Sequence, residues 1–96
     1  MEKQWTLYIL ECRDGTLYTG ITDQLEKRLK AHNAGKGAKY TRGRGPVVLR
    51  YQESCADHSS ALRREYEMKR LARREKMEII EKYERRMQIL ARKENV

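Results

Sequence analysis

The run from Trp5 to Thr22 constrains the fold more than any other stretch. Two β-rich segments, Trp-Thr-Leu-Tyr-Ile-Leu-Glu and Thr-Leu-Tyr-Thr-Gly-Ile-Thr, flank Arg13-Asp14-Gly15. Asp-Gly between alternating apolar segments is a strong hairpin signal. Side chains alternate along a strand, so the parity of the loop decides which residues share a face. A two-residue loop at Asp14-Gly15 would pair Arg13 with Thr16 and put Leu7 and Ile9 on the face opposite Leu17 and Ile21. A three-residue loop, with Gly15 left-handed in a bulge, pairs Cys12 with Thr16 instead. It gathers Trp5, Leu7, Ile9, Leu17 and Ile21 on one apolar face and Tyr8, Leu10, Tyr18 and Gly20 on the other, with Tyr8 opposite Gly20. Only the three-residue loop gives a coherent core. Its by-product is two phenols on one face, beside a glycine that leaves room for something to approach.

Asp23 with Glu26 then reads as a capping box opening a helix to about Asn33. Leu25 and Leu29, one turn apart, are expected on the sheet. Arg28 and His32, also one turn apart, lie on a neighbouring stripe and can point at a shared site. Spacing alone favours Arg28 as a solvated helix charge and His32 as a residue held by the helix dipole. Residues 35–46 hold four glycines and four cations with no acid. Such a basic loop suits a phosphate backbone, with Lys36, Lys39, Arg42 and Arg44 as contacts and Tyr40 able to stack on a base. The same composition also fits a solvated connection. No GxxxxGKS/T pattern is present, so nothing suggests a nucleotide-binding loop.

Val47 to Glu53 reads as a third strand, enough with a covering helix for a stable sheet. Asp57 to Ser60 supplies caps for a further helix with an apolar stripe of Ala61, Met68 and Ala72, flanked by Leu62, Tyr66 and Leu71. Glu65 falls within that stripe, where a carboxylate is costly unless it meets a cation, a donor or a metal. An ion pair with Arg64 or Lys69 would satisfy it, and Glu67, which points elsewhere, is the second-choice carboxylate. Tyr51, Tyr66 and Tyr83 read as core aromatics. Residues 73–93 are helical by pattern, with Ile80, Tyr83, Met87 and Leu90 spaced for packing on the domain or for a short coiled-coil contact.

A chain of 96 residues makes one domain with a modest core, about residues 5–80, followed by a basic helical extension over 81–96. A net charge of +8 points to a polyanion, nucleic acid before an anionic membrane surface. No apolar run approaches the roughly 18 residues of a membrane span, and no signal peptide is evident. The expectation is a cytoplasmic protein whose two cysteines, Cys12 and Cys55, are reduced structural hydrophobes without zinc-ligand spacing.

Tyr8 in Thr-Leu-Tyr, the tripeptide Tyr18-Thr19-Gly20, Arg28, His32, and Glu65 in Ala-Leu-Arg-Arg-Glu together resemble the GIY-YIG nuclease superfamily, closest to its short single-domain bacterial proteins. Thr19 stands where isoleucine or valine is usual. The resemblance implies an α/β (α+β) fold, a small three-stranded antiparallel sheet flanked by about three helices, with a helix break near Ala72 to Glu75. It implies a metal-dependent DNA endonuclease or nuclease-like protein of the kind used in DNA repair or processing. A non-catalytic nucleic-acid-binding module on the same fold is the alternative, and an accessory protein docking through its last helix is a third. On the nuclease reading Glu65 holds one divalent metal, Mg²⁺ or Mn²⁺, and Arg28 stabilises phosphoryl charge. Tyr18 is then the first choice for the base, Tyr8 orients water or phosphate, and His32 is an orienter or alternative base. The expected partner is DNA rather than RNA, bound by a monomer, with homodimerisation through the last helix as the other possibility.

Overall fold

The structure is a computed structural model and describes residues 4–38 and 41–94. Strands β1 (Trp5–Glu11) and β2 (Leu17–Thr22) form the hairpin, and helix α1 (Leu25–Asn33) follows. Strand β3 (Val48–Cys55), helix α2 (His58–Lys69) and helix α3 (Arg73–Glu94) complete the chain. The sheet is antiparallel with order β2-β1-β3, so β1, the most apolar strand, is central.

The hairpin has the expected register, Leu7 opposite Ile21 and Tyr8 opposite Gly20. The Cys12 N–H donates to the Thr16 carbonyl at 2.8 Å, and Gly15 has φ +85°, the left-handed conformation the three-residue loop requires. Asp14 Oδ1 accepts from both the Thr16 N–H and its hydroxyl, at 3.1 and 2.6 Å, which fixes the turn from inside. Odd-numbered side chains of β1 therefore face α2 and α3, where Leu7, Ile9, Met68 and Ile80 are fully buried. Even-numbered ones face α1, where Tyr8, Leu10, Cys12 and Val47 meet Leu25 and Leu29. Both cysteines are free thiols.

Local readings are corrected at several boundaries. Helix α1 is capped at Gln24, one residue beyond Asp23 and without a side-chain cap; Thr22 Oγ1 accepts the Gln24 N–H at 3.0 Å instead. Strand β3 starts at Val48 rather than Val47 and runs two residues past Glu53. Its register slips between Ile9 and Leu10, leaving Arg50 as the extra residue of a bulge. That guanidinium ties the sheet to α3 through Glu84 at 2.8 Å and also pairs with Glu11. Helix α2 ends at Lys69, so Ala72 is exposed and Leu71 packs on the core in its place. The break needs neither Gly nor Pro. Arg70 and Leu71 switch to tighter i→i−3 bonds, and Glu75 Oε1 accepts the Ala72 N–H at 3.1 Å to open α3. Tyr51 and Tyr83 meet edge to face at 5.1 Å as core aromatics, but Tyr66 is exposed beneath the Arg70 guanidinium. Along α3 the core contact reaches Tyr83 only; Met87, Ile89 and Leu90 are exposed, against the expectation that this half packs on the domain.

One core position is frustrated. Thr19 is 4% exposed on the α2 side of the sheet, opposite Ile9, and its Oγ1 has no hydrogen-bond partner among the described residues. A buried unsatisfied hydroxyl costs about 1–3 kcal/mol. Thr19→Val keeps the shape and removes the hydroxyl, so it should stabilise the fold by about 1 kcal/mol. A rise of roughly 4–8 °C in the thermal midpoint would register it; an unchanged or lower midpoint would show that this hydroxyl is satisfied.

Candidate active site

The even face of the hairpin, under α1, brings together four of the five residues expected in a catalytic centre. Tyr8 comes from the middle of β1 and Tyr18 from β2, with ring centroids 6.3 Å apart. His32, from the last turn of α1, lies edge-on to Tyr8 at 6.0 Å and packs against Tyr18 at 5.4 Å. Tyr8 Oη is 3.1 Å from His32 Nε2, and both side chains are 1% exposed. Arg28, one turn before His32, stays exposed, yet its guanidinium acts on both the Tyr8 phenol and the His32 ring. It borders a groove of about 300 Å³ shared with Thr22, Asp23, Gln24, Lys27 and Ala31.

The room beside Gly20 is filled by the protein itself. A Cβ there would stand 2.6 Å from Tyr8 Oη and 2.8 Å from its Cζ. The glycine therefore lets the Tyr8 phenol lie across the neighbouring strand and reach His32. Gly37 does the same on the far side of the ring, where a Cβ would be 2.4 Å from His32 Nδ1. His32 Nδ1 is in turn 2.8 Å from the hydroxyl of Thr41, itself 1% exposed.

Glu65 belongs to α2, on the other side of the sheet, between the buried Ala61 and Met68. Its charge is felt by the Tyr8 phenol, and Lys69 Nζ stands 3.4 Å from its Oε2. Of the two ion-pair partners weighed from sequence, Lys69 is the one engaged. Arg64 turns to Glu53 at 2.8 Å and to Glu67 at 3.2 Å, which takes Glu67 out of the site. No group of three or more metal-ligating side chains occurs among the described residues. A lone carboxylate does not make a protein cage; its oxygen donors suit only a hard cation that keeps most of its own water, such as Mg²⁺ or Mn²⁺.

Burial sets the protonation states. Desolvation pushes the Tyr8 phenol up to about 12, although Arg28 pulls it down, so the phenol is protonated at neutral pH. Burial, and then the Arg28 charge, hold His32 below its ordinary 6.5, so its ring is neutral there. As pH falls through 6.5 the unfolded chain takes up this proton before the folded one, and stability is lost. Denaturant midpoints should therefore fall from about pH 7.5 to about pH 5.5. The His32→Gln variant should lack that part of the slope; an equal slope in the variant would place the titrating group elsewhere.

The basic loop is pinned at both ends. Asn33 Oδ1 accepts the Val47 N–H at 2.7 Å, and Arg44 pairs with Asp14 at 2.7 Å while its carbonyl accepts the Arg13 N–H. Arg44 thus closes the loop onto the hairpin, whereas Lys36 and Arg42 are exposed. Lys39 and Tyr40, also expected at a nucleic-acid surface, lie outside the described residues. Sequence reasoning missed Asn33, Gly37 and Thr41, whose partners are set only when the loop folds back on α1.

The profile of the GIY-YIG catalytic domain matches residues 4–83. The chain is 55% identical over 75 residues to a UPF0213 protein of Staphylococcus haemolyticus, spanning 78% of this chain and 92% of that one. It is 56% identical over 70 residues to a UPF0213 protein of Halobacterium salinarum, spanning 73% and 91%. Among solved structures, that of a UPF0213 protein from Bacillus halodurans is 47% identical, with TM-score 0.54 over 81% of this chain and 83% of that one. A second, from E. faecalis, is 38% identical with TM-score 0.60 over 88% and 92%.

Proposed function

The chain belongs to the GIY-YIG family, which suggests nuclease-type chemistry on nucleic acid, and from that premise we propose a divalent-metal-dependent DNA endonuclease. The observation that carries the proposal is the Tyr8 phenol, buried, hydrogen-bonded to a neutral histidine and faced by an arginine. Phosphodiester hydrolysis needs a proton taken from water, charge stabilisation at the phosphoryl oxygens and help for the leaving oxygen.

A phenol raised to about 12 does not act as a standing phenolate. At 1% exposure it meets no bulk water, so the water would have to arrive with the nucleic acid. Tyr8 would then take a proton from it as it passes its own to His32, which is neutral and within 3.1 Å. On the strength of that contact we assign the base to Tyr8 and the orientation of water or phosphate to Tyr18, exchanging the roles expected from sequence. Arg28, permanently charged and planar, meets the charge growing on the phosphoryl oxygens. Glu65 would hold the metal, which when bound supplies Lewis-acid stabilisation of phosphate and leaving oxygen. Lys36 and Arg42 would grip the backbone of the nucleic acid, a contact read out as salt dependence.

The Lys69–Glu65 ion pair favours a second reading, a non-catalytic binding module in which that carboxylate is merely neutralised. One assay separates the two: labelled single-stranded, duplex, flap and branched DNA with Mg²⁺, Mn²⁺ or EDTA, comparing wild type with Tyr8→Phe. Cleavage by wild type, reduced about 10²- to 10⁴-fold in the variant, is expected of a lost general base. Salt-sensitive binding without cutting by either protein would move the assignment to the binding module.

A further inference from the structure

From Tyr8 a line of buried polar atoms runs through His32 and Thr41 to the backbone of Ala38. His32 Nε2 meets Tyr8 Oη at 3.1 Å, His32 Nδ1 meets Thr41 Oγ1 at 2.8 Å, and Thr41 Oγ1 meets the Ala38 carbonyl at 2.9 Å. Tyr8, His32 and Thr41 are each 1% exposed, so these groups satisfy one another.

The far end of the line fixes its direction. A backbone carbonyl only accepts, and two oxygens 2.9 Å apart need a proton between them. The Thr41 hydroxyl has one proton, which it gives to Ala38. Toward the imidazole its oxygen is then an acceptor, so Nδ1 of His32 must carry the ring proton. A neutral imidazole has only one, which leaves Nε2 bare and makes it the acceptor of the Tyr8 proton. The near end agrees: Arg28, beside the same phenol, can only donate, so the phenol proton is free to point at the ring.

We propose that Thr41 is a positioning residue that locks His32 in the Nδ1–H tautomer and so makes His32 the acceptor of the Tyr8 proton. Its catalytic consequence rests on the nuclease reading above; the tautomer itself does not. With the proton on Nε2 instead, His32 would donate to Tyr8, and the phenol could not pass its own proton on as it takes one from water. Thr41 lies in the same basic loop as Lys36 and Arg42. One segment thus carries two candidate phosphate contacts and the group that sets the relay.

The test is a long-range ¹H–¹⁵N spectrum of the histidine rings in the full chain at neutral pH. The chain has two histidines, and His58→Gln assigns the signals. Wild type and Thr41→Ser should show a neutral His32 protonated on Nδ1, and Thr41→Val should lose that preference. In the cleavage assay with Mn²⁺, Thr41→Val should fall about 10- to 100-fold and Thr41→Ser should recover most of the rate. His32 protonated on Nε2 in wild type overturns the proposal, as does a folded Thr41→Val with unchanged tautomer and rate. The wild-type spectrum decides even where Thr41→Val does not fold. A correct tautomer in a protein that cuts nothing would leave Thr41 in its role and remove the nuclease reading alone.

Discussion

Glu65→Gln should reduce cleavage by about 10³-fold or more while DNA binding stays within about twofold of wild type. The substitution keeps the volume of the side chain and removes its charge. Metal-assisted stabilisation of a phosphoryl transition state is worth several kcal/mol, and each 1.4 kcal/mol is a factor of ten in rate. Loss of the Lys69 partner costs little by comparison, because that lysine is half exposed and surface pairs contribute about 0–1 kcal/mol. Folding should therefore survive and the effect should be confined to chemistry. Trimming the loop with Lys36→Ala and Arg42→Ala should do the converse, weakening binding and flattening its dependence on salt. Rates measured at saturating DNA, beside binding curves at matched ionic strength, check both. A Glu65→Gln protein that cuts at the wild-type rate would remove Glu65 from the centre.

Gly20→Ala should have the second largest effect, through displacement rather than lost chemistry. The added methyl would sit 2.6 Å from Tyr8 Oη, 2.8 Å from Cζ and 3.1 Å from Tyr18 Cε1. Tyr8 is wholly buried between α1 and the sheet, so its ring cannot swing into solvent, and the strain of overpacking is about 1–3 kcal/mol. A movement of the ring that relieves it shifts the phenol relative to His32. A misplacement of about 1 Å at a reacting group can cost on the order of 10²-fold in rate. Gly45→Ala is the comparison, since nothing beyond its two chain neighbours lies within 4 Å of a Cβ there and its φ is not left-handed. Denaturant midpoints and cleavage rates of the two alanine variants would be compared. Wild-type rate in a folded Gly20→Ala protein would mean that the Tyr8–His32 contact does not matter for turnover.

The hairpin was legible because one local choice, the parity of the loop at Gly15, fixes every side chain on two strands. That parity put Tyr8 and Tyr18 on one face and one helical turn put Arg28 beside His32, but joining the four in one site took the family resemblance as well. Strand β3 was less legible: its bulge at Arg50 is held by Glu11 and by Glu84, which is distant in sequence. The break between α2 and α3 left no Gly or Pro, only the Glu75 cap and the pull of Leu71 into the core. Thr41 and Gly37 were hidden in a loop whose composition spoke of phosphate. Nothing in their spacing announces that they close over a histidine one helix earlier. Met87 and Leu90 show the opposite failure, since a regular apolar spacing continues past the point where the domain has any surface left to cover.

The measurement that bears most directly on the central claim is metal-dependent cleavage by wild type beside Arg28→Ala. Arg28 is exposed, so its removal should leave the fold intact, and its charge reaches the Tyr8 and His32 of one site. The account predicts cutting with Mg²⁺ or Mn²⁺, none with EDTA, and a loss of about 10²-fold or more in the variant. Cutting that survives EDTA, or an Arg28→Ala protein as fast as wild type, would contradict it.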